Sequence, residues 1–228
     1  MDQPVIDAAE EITPAWLTEA LGTAGHELAV VAARAERIGV GQVGTTYRVE
    51  LEYDGAAGPA TLVVKAAGGD DAARARVSIG YAAEVGFYTQ LASRVAVRTP
   101  RCWYGAIADD AASFTLLLDD LAPFEPGDQM RGCTIDEARA GVANLVGLHA
   151  PVWNDATLFE RDFLVRSDPD AAEFLGAVLA EATEQFVARY DARLDPADIE
   201  TLRASARSIV AWQTTRTEPF SVLHGALP

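Results

Sequence analysis

Gly39-Val40-Gly41-Gln42-Val43-Gly44 carries three glycines in G-x-G-x-x-G spacing, and a strand pattern follows it where a helix would be the commoner sequel. That spacing lets a backbone approach something bulky and anionic, usually nucleotide phosphates. The next residues separate two architectures. A dinucleotide-binding fold needs a helix whose N-terminus faces the pyrophosphate. Here Tyr47, Val49, Leu51 and Tyr53 alternate with Arg48, Glu50 and Glu52, which is the period of a half-buried strand. No acidic residue stands near Pro59, about where the ribose-binding carboxylate of a dinucleotide fold is expected. The glycines therefore read as a loop between two antiparallel strands.

A turn at Asp54-Gly55-Ala56-Ala57-Gly58-Pro59 separates this strand from a third run, Thr61-Leu62-Val63-Val64-Lys65. Lys65 is the only lysine among 18 basic residues, so arginine supplies the positive charge everywhere else. A helical stretch follows near Tyr81 to Ala92, with Val85, Tyr88 and Leu91 at helical spacing and Glu84 among them. A lysine facing a cleft calls for a carboxylate partner, because an unpaired charge there is costly. Taken singly, Lys65 reads as a surface lysine at a strand end before it reads as a phosphate contact, and Glu84 as a solvated helix residue.

In this order, the loop, the lysine and the glutamate resemble the small-molecule branch of the kinase-like phosphotransferases. That branch includes aminoglycoside phosphotransferases, choline kinase-like enzymes and ecdysteroid kinase-like proteins. The resemblance implies an α+β, protein kinase-like two-lobe fold, with an antiparallel-sheet N-lobe and an incomplete helical C-lobe. Gly39, Gly41 and Gly44 match the nucleotide-covering loop, Lys65 the lysine that pairs the α- and β-phosphates, and Glu84 its ion-pair partner. Phe114-Thr115-Leu116-Leu117-Leu118-Asp119-Asp120-Leu121 resembles the last N-lobe strand running into the hinge. There the resemblance implies that the Asp119 carbonyl and the Leu121 amide hold the adenine edge, with Leu118 at its back. Without the resemblance the same segment is an ordinary buried strand ending in an acidic turn. The implied activity is ATP-dependent transfer of the γ-phosphate to a hydroxyl of a small molecule, with magnesium.

The pattern departs at its far end. Ala143-Asn144-Leu145-Val146-Gly147-Leu148-His149-Ala150 resembles a helix end of the same family, where His149 reads as structural. Phe220-Ser221-Val222-Leu223-His224-Gly225 resembles the entry to the catalytic loop. The family continues with aspartate, then a downstream asparagine and an acidic metal motif. Here Ala226 stands at the aspartate position and the sequence closes at Pro228. The resemblance thus implies a chain cut inside its own active site, with neither catalytic base nor metal ligands and almost no turnover. A frameshifted product, a deliberately shortened version and a degenerate member that still binds nucleotide all fit that expectation.

The net charge of −16 disfavours nucleic-acid binding, which needs a basic face against the phosphates. It reads first as plain solubility, and is compatible with a cationic acceptor such as an aminoglycoside. Choline-like, sugar and steroid acceptors stay open. No apolar run approaches the roughly twenty residues of a membrane span. Met1-Asp2-Gln3-Pro4 lacks the charge and apolar pattern of a signal peptide, which points to the cytoplasm. Cys102 and Cys133 form neither a zinc nor a disulfide pattern.

The expected segments are an N-lobe over 1–121, a hinge and linker over 122–133, and a partial C-lobe over 134–228. Thr13-Pro14 opens a short helix closing at Gly22. Strands are expected over Pro100–Ala108 and Ser113–Leu118. Thr134-Ile135-Asp136-Glu137 is a capping box for a helix reaching His149. Asp168-Pro169 and Asp195-Pro196 open two long amphipathic helices, about 169–191 and 196–213. Leu175, Val178, Leu179 and Ala182 read as the core stripe of the first; Leu202, Ile209 and Trp212 belong to a stripe on the second. An exposed apolar surface is expected on the helical part, and with it self-association.

Overall fold

The computed structural model describes the chain apart from residues 1–3, 40–43, 56–57, 126, 129, 166–167, 216–218 and 225–228. It is an α+β protein. Strands β1 (Val30–Ile38), β2 (Gly44–Tyr53), β3 (Thr61–Ala67), β4 (Cys102–Ile107) and β5 (Phe114–Asp119) form one antiparallel sheet in the order β1-β2-β3-β5-β4. The helices are α1 (Pro14–Thr23), α2 (Asp71–Gly86), α3 (Ile135–His149), α4 (Pro169–Tyr190) and α5 (Pro196–Thr215). None of the described helices is long and apolar enough to cross a membrane.

The chain divides into two compact units, Met1–Leu164 with Ser221–Pro228, and Val165–Phe220. Residues 134–164, which the sequence places with the later helices, thus group with the sheet. The ties are specific. The Ala96 amide donates to the Gly147 carbonyl of α3 at 2.8 Å, and the Arg98 amide donates to Asn144 Oδ1 at 3.1 Å. A Cβ on Gly147 would lie 2.7 Å from the Ala96 backbone, so only glycine permits this approach.

The alternation in the strands sorts residues onto the two sheet faces. Val49 and Leu51 of β2, Leu62 and Val64 of β3, and Leu117 of β5 pack with Leu17 and Leu21 of α1. Phe114, Leu116 and Leu118 of β5 and Ala67 of β3 point the other way, onto Tyr81 and Val85 of α2. The segment ahead of α1 is strapped across the sheet. The Ile6 amide donates to the buried Thr115 hydroxyl at 2.9 Å, and the Tyr104 hydroxyl donates to the Pro4 carbonyl at 2.9 Å.

Most helix starts match their sequence signals. The Thr13 hydroxyl accepts from the Trp16 amide at 3.2 Å, and Thr134 and Glu137 form the reciprocal capping box. The helix that carries Glu84 begins earlier than the expected Tyr81. Asp70 caps it by accepting from the Ala73 amide at 2.8 Å, and charged residues in its first turns hide the apolar period. It ends in a π-helical turn, Phe87–Leu91, where the Ala92 amide donates to the Phe87 carbonyl.

In the second unit, α4 and α5 pair as a hairpin of helices. The core stripe expected at Leu175, Val178, Leu179 and Ala182 is instead exposed. The buried residues of α4 are Ala172, Gly176, Thr183 and Val187. Small side chains let the two backbones come close, and a Cβ on Gly176 would sit 2.4 Å from Val210 Cγ2. Of the residues expected on α5, Leu202 and Ile209 are half-buried and Trp212 is exposed.

Candidate functional site

The site is laid out along one face of the sheet by strand register. Thr46 of β2 pairs with Lys65 of β3, and Lys65 pairs with Leu116 of β5; Arg48 pairs with Val63, and Val63 with Leu118. Arg48, Val63, Lys65, Leu116 and Leu118 therefore share the face that α2 covers in part. Lys65 stands at one end of this row and the chain after Asp119 at the other. Four residues along β5 separate the two ends, roughly 13 Å at 3.3 Å per residue.

Lys65 Nζ donates to both oxygens of Glu84, at 2.6 and 2.7 Å. The two residues come from different elements, the central strand β3 and helix α2, and the pair fixes the distance between them. Their side chains are 31 and 32 % exposed. A pair this open to water contributes on the order of 1 kcal/mol or less. Fold stability alone is thus a weak reason for the chain's sole lysine to stand here. Tyr88 lies beside the pair on the π turn. Burial, and then the Glu84 charge, push its hydroxyl up to about 12, so it stays a neutral phenol at physiological pH.

The glycine loop is described at its two ends; Gly41 lies outside the described residues. Gly39 has φ +70°, a left-handed conformation that side chains adopt rarely. Gly44 opens β2 for a different reason. A Cβ there would lie 2.8 Å from the Ala66 carbonyl oxygen and 3.6 Å from Lys65 Cε. The absence of a side chain at Gly44 brings the end of the loop down onto the strand that carries the lysine.

At the other end, Leu118 is buried beneath α2 with Leu116 and Tyr81. Asp119 points its carboxylate sideways. Oδ1 accepts from the Trp103 indole at 2.7 Å and Oδ2 from the Arg101 amide at 3.4 Å, while the Asp119 amide donates to the Arg101 carbonyl at 2.9 Å. The Arg101 guanidinium in turn covers the Trp103 ring at 3.9 Å. Leu121 is exposed, and its carbonyl accepts from the Phe124 amide at 2.9 Å.

Two residues that the sequence reading left out join the site. Arg48 Nε donates to Asp120 Oδ2 at 2.7 Å and Nη2 to Oδ1 at 3.1 Å. Arg48 occupies the polar phase of an alternating strand, where arginine is commonplace. Asp120 follows a second aspartate at a strand end, and neither position carries a pattern. The Arg48 guanidinium, the Ala122 amide and the Thr61 hydroxyl hold the Asp120 carboxyl below the usual carboxylate range.

The His149 carbonyl accepts from the Ser221 hydroxyl at 3.0 Å, and His149 lines an apolar groove of about 640 Å³ with Val142, Val146 and Trp153. His224 is exposed, and Gly225 and Ala226 lie outside the described residues. Among the described residues no group of three histidine, cysteine, aspartate or glutamate side chains is placed to hold a metal ion. No protein-family model, curated protein or solved structure matches this chain.

Proposed function

We propose that the sheet unit binds ATP in the manner of the small-molecule kinase-like phosphotransferases, on a two-lobe scaffold of that kind. The observation that carries the reading is the two-oxygen contact of Lys65 Nζ with Glu84, at 2.6 and 2.7 Å. A lysine held this way presents its charge at a fixed point, where nucleotide phosphates can be paired. Gly44 supports the same reading, because its missing side chain leaves backbone to cover those phosphates. The row from Lys65 to Leu121 has the length of a nucleoside with its first phosphates. Val63 supplies an apolar surface for a base with the buried Leu118 behind it, and the Asp119 carbonyl and Leu121 amide its polar edge.

The parent activity is transfer of the γ-phosphate to a hydroxyl of a small molecule, with the acidic net charge favouring a cationic acceptor such as an aminoglycoside. Magnesium belongs to that chemistry. The described residues bring no ligand set together for it. A second reading, nucleotide binding without transfer, is favoured by one residue: Ala226 stands where the resemblance calls for the catalytic aspartate.

Calorimetric titration with ATP tests the reading. Lys65→Ala should weaken ATP binding about tenfold or more, the loss of a charged contact to phosphate. Unchanged affinity in that variant removes the assigned phosphate contact. Because Lys65 is the only lysine, an amine-reactive ATP analogue should label it alone beside the chain's α-amino group. Binding with phosphate transfer to a hydroxylated acceptor selects the enzyme; binding without transfer selects the second reading.

A further inference from the structure

The contact between Arg48 and Asp120 joins residues 72 apart in sequence, through two hydrogen bonds of 2.7 and 3.1 Å. The Asp120 side chain is 6 % exposed. A carboxylate so enclosed needs a partner, and the planar guanidinium fork meets it in one orientation only. Asp120 Oδ1 also accepts from the Ala122 amide at 3.0 Å. One carboxylate therefore holds the residues on both sides of Leu121. On the near side Asp119 is held as well, by the Trp103 indole and the Arg101 amide. Between these anchors the Leu121 amide has no acceptor among the described residues. Arg48 itself lies on β2, four residues past Gly44, so the strand that leaves the glycine loop is locked to the segment carrying that amide.

We infer that Arg48 and Asp120 are a positioning pair for the base end of a bound nucleotide, fixing the Leu121 amide against the edge of the base. The inference rests on the nucleotide reading above and adds a role to it. Lys65 and Gly44 meet the phosphates; Arg48 and Asp120 touch neither phosphate nor base, and act through the backbone of 119–122. A pair that merely stapled the fold would change all ligands alike. A positioning pair changes only ligands that carry a base.

The test compares ATP with inorganic triphosphate, both titrated into the 228-residue chain in magnesium buffer, with thermal unfolding recorded for each variant. Arg48→Gln should weaken ATP about tenfold and leave triphosphate within about twofold, whereas Lys65→Ala weakens both. Arg48→Lys, which keeps the charge but not the fork, should recover part of the ATP affinity. Asp120→Asn keeps the side-chain shape and the acceptor for Ala122, and carries the same comparison if Arg48→Gln does not fold. Equal losses for the two ligands, or undiminished ATP affinity, overturn the inference while the nucleotide reading stands. A wild-type chain that binds ATP no better than triphosphate also overturns it. A wild-type chain that binds neither overturns the nucleotide reading, and the positioning role falls with it.

Discussion

The sheet unit and the α4–α5 hairpin bury opposite kinds of residue. In the sheet unit Leu62, Leu116, Leu117 and Phe114 are fully enclosed. In the hairpin the buried positions of α4 are Ala172, Gly176, Thr183 and Val187, while Phe174, Leu175 and Phe186 stay exposed. The difference is geometric. A sheet covered on both faces offers two broad surfaces that take large side chains from every second residue. Two helices alone share a single seam, and small residues allow that seam to be narrow. Apolar character thus predicts burial within β3 and β5 of the sheet and misleads on α4.

That contrast makes a quantitative claim. Leu117→Ala should destabilise the sheet unit by about 3 kcal/mol, whereas Val178→Ala on α4 should change stability by less than about 0.5 kcal/mol. Urea unfolding followed separately in the two units by hydrogen exchange measures both. A large loss at Val178 would mean that this face is covered, and the comparison would collapse.

A smaller effect probes the seam itself. Alanine is a better helix former than glycine by about 1 kcal/mol, so Gly176→Ala at an open position would stabilise α4. Here the added Cβ would meet Val210 Cγ2 at 2.4 Å, and valine is stiff at that bond. Overpacking of this kind costs about 1–3 kcal/mol. The expected net result is faster exchange in α4 and α5 with an unchanged sheet; slower exchange would place the seam elsewhere.

The smallest effect compares two arginine–carboxylate contacts, one in each unit. Asp120 is nearly enclosed, and Glu184 is open to solvent beside Arg203. Both carboxyls are held below their ordinary range by the arginine. A carboxyl whose folded pKa is depressed adds stability that is complete above its unfolded value, about 3.9 for aspartate, and lost as pH falls through the folded value. Asp120→Asn should therefore flatten the acid limb of the sheet unit's stability below about pH 4. Glu184→Gln should leave the hairpin's acid limb unchanged in moderate salt, because open pairs are screened. Matching behaviour of the two variants would show that enclosure makes no difference here.

Much of the candidate site was legible in the chain because its parts are local signals placed in order. A glycine loop, an alternating strand, an apolar strand ending in lysine and a helix bearing glutamate each read from neighbours in sequence. Lys65 and Glu84 meet because the elements carrying them are adjacent in the fold. The Arg48–Asp120 contact had no such signal. Whether a polar strand position faces water or a turn from another strand depends on which strand lies beside it, and β5 reaches β3 only after α2 and β4 intervene.

By itself, then, the sequence determined the period-two strands, the capped helix starts at Thr13, Thr134 and Asp168, and the glycine and lysine positions. These follow from backbone preferences and hydrogen bonds within a few residues. The tertiary structure alone decided the strand order, the earlier start of α2, the grouping of α3 with the sheet, the small-residue face of α4, and the locking of Arg48 onto Asp120. Each of these depends on the packing of surfaces far apart in the chain, where several apolar or charged faces are locally equivalent and only contact with a partner selects among them.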